Sequence, residues 1–162
     1  MSETTTAPPM AHTCVSTAPA TTPQEQELPG SPDQVRVARA FVAAVLACCP
    51  VADDAILCVS ELAGNAVLHS NSKTPGGTFT VRAEIHHGDY VWVEVEDDGG
   101  PWQDRGHDDS RPHGLDVVRA LADDWGVDGD PLSGWAVWVR LDVPSQMHHT
   151  EAAAAEAATR PR

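Results

Sequence analysis

Lysine is nearly absent. Lys73 is the only one in 162 residues, and 10 basic side chains face 24 acidic ones, for a net charge of −14. Duplex-DNA binders neutralise phosphates with Lys and Arg, so this balance excludes direct nucleic-acid binding. No run approaches the ~20 consecutive apolar residues of a membrane-spanning helix, which excludes a helical membrane anchor. Cysteine is sparse and poorly spaced: Cys14, Cys48, Cys49 and Cys58 form no C-x-x-C pair, so neither a zinc site nor a dithiol motif is expected. Cys48 and Cys58 read instead as small core residues of a reducing compartment, which points to the cytoplasm. Residues 1–30 lack the basic start and apolar core of a secretory leader. The histidine pairs His86-His87 and His148-His149 read as solvated turn and tail residues.

What is present is an ordinary globular domain, with 41% apolar residues, between two tails. Residues 1–30 are Thr/Pro/Ala-rich without apolar periodicity and are expected to form a flexible tail. Residues 145–162, with their alanine run, offer no apolar face and form a second. The domain between them, 31–144, is long enough for one core.

Ser31-Pro32-Asp33 predicts a helix start, with Ser31 as cap and Pro32 at the first helical position. Val35, Ala38, Phe41, Val42, Val45 and Leu46 follow at helical spacing until Cys49-Pro50. A second helix is expected from near Asp53, carrying Ile56, Val59, Ala63, Ala66 and Val67 on one stripe. The period then falls to two. Phe79, Val81, Ala83 and Ile85 alternate with polar residues, and Val91, Val93 and Val95 do the same after a turn at His87-Gly88-Asp89, so the two runs read as a hairpin. A short helix is predicted over 114–122, a weak strand over 125–128 and a clear strand over 135–142. This order predicts an α+β fold: a two-layer sandwich whose mainly antiparallel sheet is covered on one face by about three helices. Trp92 and Trp138 fall on the polar side of their strands, where they either mark an interface or cover the sheet within one chain.

Three polar groups interrupt these buried patterns. Glu61, Asn65 and His69 recur every four residues along the second helix, which sets them near one face. Glu61 offers a carboxylate for proton transfer, and the Asn65 amide oxygen is a hard ligand suited to Mg²⁺. Glu96-Asp97-Asp98-Gly99-Gly100 ends a strand, where a carboxylate can accept from an exocyclic amine and glycine permits close backbone approach. Arg111-Pro112-His113-Gly114-Leu115 opens a helix, whose exposed N–H groups favour an anion. Singly, each also reads as a solvated helix face, an acidic turn or an ordinary helix start.

Their order and spacing are more specific than the parts. Glu61-x-x-x-Asn65-x-x-x-His69, a hairpin, Asp97-x-Gly99 and then His113-Gly114-Leu115 resemble the N, G1 and G2 boxes of the Bergerat-type (GHKL) ATP-binding fold. Gyrase, the Hsp90 chaperones, histidine kinases and mismatch-repair ATPases share that fold. The segments Val59-Ser60-Glu61-Leu62, Asn65-Ala66-Val67-Leu68-His69 and Ala120-Leu121-Ala122-Asp123-Asp124-Trp125-Gly126-Val127 further resemble the actinobacterial branch of anti-sigma-factor serine/threonine kinases.

The resemblance implies a role for each position. Asn65 would coordinate the Mg²⁺ that bridges the ATP phosphates, and Glu61 would be the catalytic base. Asp97 would bind the adenine amino group, with Gly99 letting the base pack closely. His113 and Gly114 would border the phosphates, and residues 100–112 would form a lid. The implied partners are a sigma factor and an anti-anti-sigma protein phosphorylated on Ser or Thr, and a homodimer is compatible with the family. Pro101 and Pro112 stand where glycines are common, and Ala136 is expected at the position of a threonine near adenine. These three departures support an alternative: a non-catalytic nucleotide- or partner-binding module that sequesters a transcription regulator. Between Asp89 and Asp130, thirteen carboxylates against three arginines suit a metal-bound polyanion better than a free one, and equally suit a plain acidic surface.

Overall fold

The computed structural model describes residues 22–86, 89–101 and 114–144. Its elements in chain order are β1 (Gln24–Pro29), α1 (Gln34–Val45), α2 (Ala52–His69), a single 3₁₀ turn (Asn71–Lys73), β2 (Thr78–His86), β3 (Tyr90–Asp97), α3 (Gly114–Leu121), β4 (Asp124–Asp130) and β5 (Gly134–Asp142). The five strands form one sheet in the order β1-β2-β3-β5-β4, and every neighbouring pair is antiparallel. The fold is α+β, as the residue pattern predicts.

The alternation in β2, β3 and β5 builds the inner face. Register sets Val81 opposite Val95 and Val95 opposite Val137; one step along, Ala83, Val93 and Val139 align in the same way. Val81, Val93 and Val139 are all fully buried. The helices close over this face. From α1, Ala38 and Val42 are buried; α2 contributes Ala55, Cys58, Val59, Leu62, Ala63, Ala66 and Val67. Val118 of α3 completes the layer, and Leu46 just beyond α1 joins it. Each fully buried aliphatic side chain contributes about 1.5–3 kcal/mol, so this single cluster outweighs any surface contact.

Three expectations change. Residues 24–29, assigned to the N-terminal tail, form edge strand β1 on β2. The segment holds a single inward apolar residue, Leu28, which is 4% exposed, so it offers no period-two signal. Glu25 and Pro29 suit an edge, and Glu25 pairs with Arg82 of β2 at 3.1 Å. Helix α1 starts later than predicted. Asp33 takes the N-cap without a side-chain cap bond, and Ser31 and Pro32 form the preceding turn, where the Gln34 N–H donates to the Ser31 carbonyl at 3.0 Å. Finally, Cys48 is exposed at φ +67° in the α1–α2 connection, while Cys58 is buried as expected.

The outer face carries no helix among the described residues. Trp92 and Trp138 stack across β3 and β5 with ring centroids 4.4 Å apart. The Trp138 indole lies on Gly126 of β4, where a Cβ would come within 2.5 Å of the ring, and its Nε1 donates to Asp128 at 3.0 Å. The two tryptophans thus cover the sheet within one chain. No helix among the described residues is long and apolar enough to cross a membrane.

Candidate functional site

Helix α2 carries the first polar group. Its buried stripe leaves Glu61 and Asn65 on one flank, half-buried at the rim of the apolar layer, with His69 exposed at the C-terminal end. Spacing of four residues makes this inevitable once the stripe is inward. The helix ends at Ser70, whose hydroxyl donates to the Ala66 carbonyl at 2.8 Å and accepts from the Ser72 N–H at 3.0 Å. Asn65 therefore lies five residues, about 7.5 Å of helical rise, before Ser70.

That end of α2 is stitched to the end of β3. The Asn71 N–H donates to the Gly99 carbonyl at 2.8 Å, and the Asp98 N–H donates to Ser72 Oγ at 3.0 Å. Asp98 in turn accepts from the Thr78 N–H through Oδ2 at 2.8 Å. Among the described residues, Ser70 and Ser72 are the buried polar side chains, at 5% and 0% exposure. A buried hydroxyl is stable only when hydrogen-bonded, so these contacts fix the segment 97–99 against the helix. Sequence reasoning missed both serines. Their signal was the Ser-x-Ser pattern straight after a helix, which favours a local side-chain-to-backbone turn.

Asp97 sits at the centre of the join. Its Oδ1 accepts from the Gly99 N–H at 2.7 Å and from the Trp135 N–H at 3.3 Å, so both backbone bonds fall on one oxygen. Burial pushes its carboxyl above the ordinary aspartate range, those two N–H groups pull it partly back, and the neighbouring Asp98 charge pushes it up again. Gly99 at φ +74° and Gly134 at φ +117° make the geometry available. A Cβ on Gly99 would stand 2.6 Å from the Pro131 carbonyl, and one on Gly134 would stand 2.4 Å from the Asp97 carbonyl, so neither position admits a side chain.

The structure thus joins Asp97 and Gly99 to the end of the helix that bears Glu61 and Asn65. Gly114 opens α3, which packs against α2 through the shared core. His113 and residues 102–112 of the expected lid lie outside the described residues. Ala136 is a correction. It pairs with Glu96 and takes the outer face, because side chains alternate along β5, so it does not stand near Asp97. The neighbour of Asp97 is Trp135, which sequence reasoning passed over as one more apolar strand residue.

Chemically, the join offers an oriented carboxylate with one oxygen committed to the backbone, at the C-terminal end of the helix that carries Glu61 and Asn65 further up. Such a group suits the amino edge of a base. A family model described as the histidine kinase-like ATPase domain matches residues 28–141. The chain belongs to the histidine kinase-like ATPase domain family. Among solved structures, the RsbU and RsbW domains of Rv1364c from Mycobacterium tuberculosis align with a TM-score of 0.58 at 21% identity. That match covers 75% of this chain and 32% of the other, so the chain spans about a third of that protein, and at this identity the likeness concerns the fold. No curated protein matches.

The residues of this ATPase-family domain fit a metal–nucleotide better than a metal alone. Among the described residues, no cluster of three or more His, Cys, Asp or Glu could hold a metal ion. Mg²⁺ commonly relies on one or two protein oxygens plus substrate phosphates and water, which a single amide oxygen such as that of Asn65 can supply.

Proposed function

We propose that this chain is an ATP-binding regulatory protein, an anti-sigma factor with serine/threonine kinase activity toward an anti-anti-sigma partner. The observation that carries the reading is the family match over residues 28–141 together with Asp97, whose carboxylate is anchored at a strand end beside the C-terminus of α2. The motif resemblance to the actinobacterial kinases supplies the regulatory part, and the fold shared with an RsbW-containing protein agrees with it.

In this reading Asp97 accepts from the adenine amino group through the oxygen that the backbone leaves uncommitted. Gly99 keeps the strand end bare so that the base lies against the main chain. Asn65 would hold the Mg²⁺ bound with the phosphates, and that ion would supply charge neutralisation of the transferring phosphoryl group. Glu61, one turn earlier on the same flank, takes the proton from the partner's attacking hydroxyl. The nucleophile belongs to the partner, so positioning and electrostatics are what the chain contributes. Gly114, at the start of α3, and His113 before it in sequence border the phosphates, and the working domain consists of residues 31–144 extended by strand β1.

The test is phosphoryl transfer from labelled ATP to candidate anti-anti-sigma proteins. Transfer that disappears in Glu61→Ala while ATP binding survives is expected. ATP binding without transfer to any partner would favour the non-catalytic binding module instead.

A further inference from the structure

Folding sends most large apolar side chains inward, and among the described residues three stay exposed. Two of them lie on α2: Leu57 at 45% and Leu68 at 57% exposure. At about 100° per residue, both fall within about 40° of Glu61 around the helix axis, and Gly64 falls within about 60°. Neither leucine joins the core cluster, which takes Leu62, Ala63, Ala66 and Val67 from the other side of the helix. A Cβ on Gly64 would meet nothing within 4 Å, so the surface between the leucines is low and open. Glu61 thus stands between two apolar side chains, about 6 Å of helical rise after Leu57 and about 10.5 Å before Leu68. A lone exposed leucine is ordinary; two that bracket a candidate catalytic carboxylate on one flank point to contact with another molecule. Charge selects the occupant. Exposed Asp53 and Asp54 open this side of α2, and with Glu61 they outnumber Lys73, whose Nζ donates to the Leu68 carbonyl at 3.3 Å. A second copy of the chain laid on the flank would bring like carboxylates together, whereas a segment carrying a neutral hydroxyl to Glu61 meets no such repulsion.

We infer that the α2 flank bearing Leu57, Gly64 and Leu68 docks the phosphoacceptor segment of the protein partner, and that this segment carries apolar side chains on both sides of its Ser or Thr. This rests on the proposal that Glu61 takes the proton from the partner's hydroxyl, and it adds what the acceptor sequence must offer. Laid along α2 as extended chain, the two distances from Glu61 correspond to about two and about three residues. The expected acceptor therefore has an apolar residue within about three positions of the hydroxyl in each direction.

Steady-state transfer from labelled ATP to the anti-anti-sigma protein that accepts phosphate tests this, with the KM for ATP and the KM for the acceptor measured separately. Covering the exposed half of a leucine is worth about 5-fold in affinity, so Leu57→Ser and Leu68→Ser should each raise the acceptor KM by about that factor. The KM for ATP should stay as in the parent. Gly64→Gln fills the open surface and should also raise the acceptor KM. Its thermal midpoint should match or exceed the parent's, because glutamine favours a helix more than glycine does. That variant decides the matter if the serine variants do not fold. A parental acceptor KM in Gly64→Gln, or in the Leu57→Ser/Leu68→Ser double variant, overturns the inference and leaves the proposed function standing. So does a change of oligomeric state on sedimentation with the acceptor KM unmoved, which would assign the flank to a second copy. A parent chain that transfers phosphate to no acceptor removes the proposed function, and this inference with it.

Discussion

Replacing Asp97 by asparagine should separate ligand capture from folding. The amide oxygen can still accept from the Gly99 and Trp135 N–H groups that Oδ1 now serves, so the strand end keeps its shape. The other atom changes from acceptor to donor and meets the adenine amino group with the wrong polarity. A hydrogen bond to a charged acceptor contributes about 1.5–3 kcal/mol, so ATP affinity falls about 10- to 150-fold. Inosine triphosphate, with a carbonyl at position 6, should lose less or gain. Stability moves the other way. Burial raises the Asp97 pKa in the folded chain, so its contribution to stability is complete below its unfolded value of about 3.9 and is lost as pH rises through the folded value. At neutral pH the ionised group therefore opposes folding, and the neutral amide removes that cost. Calorimetric titration gives the affinities, and thermal unfolding at pH 7 should show a midpoint at or above the parent's. Parental ATP affinity in Asp97→Asn would refute the assignment of this carboxylate to the base.

Other expectations follow from single contacts. Ser72→Ala removes a fully buried hydroxyl and leaves the Asp98 N–H, at a part-buried place, without its acceptor, so urea unfolding should show a loss of about 1 kcal/mol; no loss would mean that the join between α2 and β3 is not held there. Gly134→Ala forces a Cβ against the Asp97 carbonyl at positive φ, for a loss of at least about 1–3 kcal/mol in the same assay and weaker ATP binding. Gly64→Ala is the contrast: a Cβ there meets nothing within 4 Å, and alanine should stabilise α2 by about 0.5–1 kcal/mol. Cys58 is fully buried and its thiol is raised to about 11, chiefly by desolvation, so mapping of alkylation at pH 8 should find it unmodified until denaturant is added, whereas exposed Cys48 reacts at once.

The elements that were legible in the chain were those with a period. Phe79-x-Val81-x-Ala83 and Val91-x-Val93-x-Val95 announce half-buried strands, and the register pairs them as that alternation requires. Strand β1 was illegible because an edge strand with one inward residue has too little alternation to read. The polar groups were legible as motifs, through Glu61 and Asn65 on a helix and Asp97-x-Gly99 at a strand end. Their neighbours were not. The motif order puts Ala136 at the position of a threonine near adenine, although a one-residue step along a strand carries its side chain to the face opposite Asp97.

The order of residues by itself determined which segments turn a face inward, because burial of apolar area rewards a period of 3.6 or 2 wherever it occurs. It also determined the acidity of the chain and the kinds of chemical group it can offer. Only the tertiary structure decided which groups meet. The Asp97-Asp98 strand end, Ser72 and Trp135 are drawn from three separate stretches, and the hydrogen bonds from Trp135 to Asp97 and from Asp98 to Ser72 depend on strand order and register, neither of which leaves a local trace in sequence.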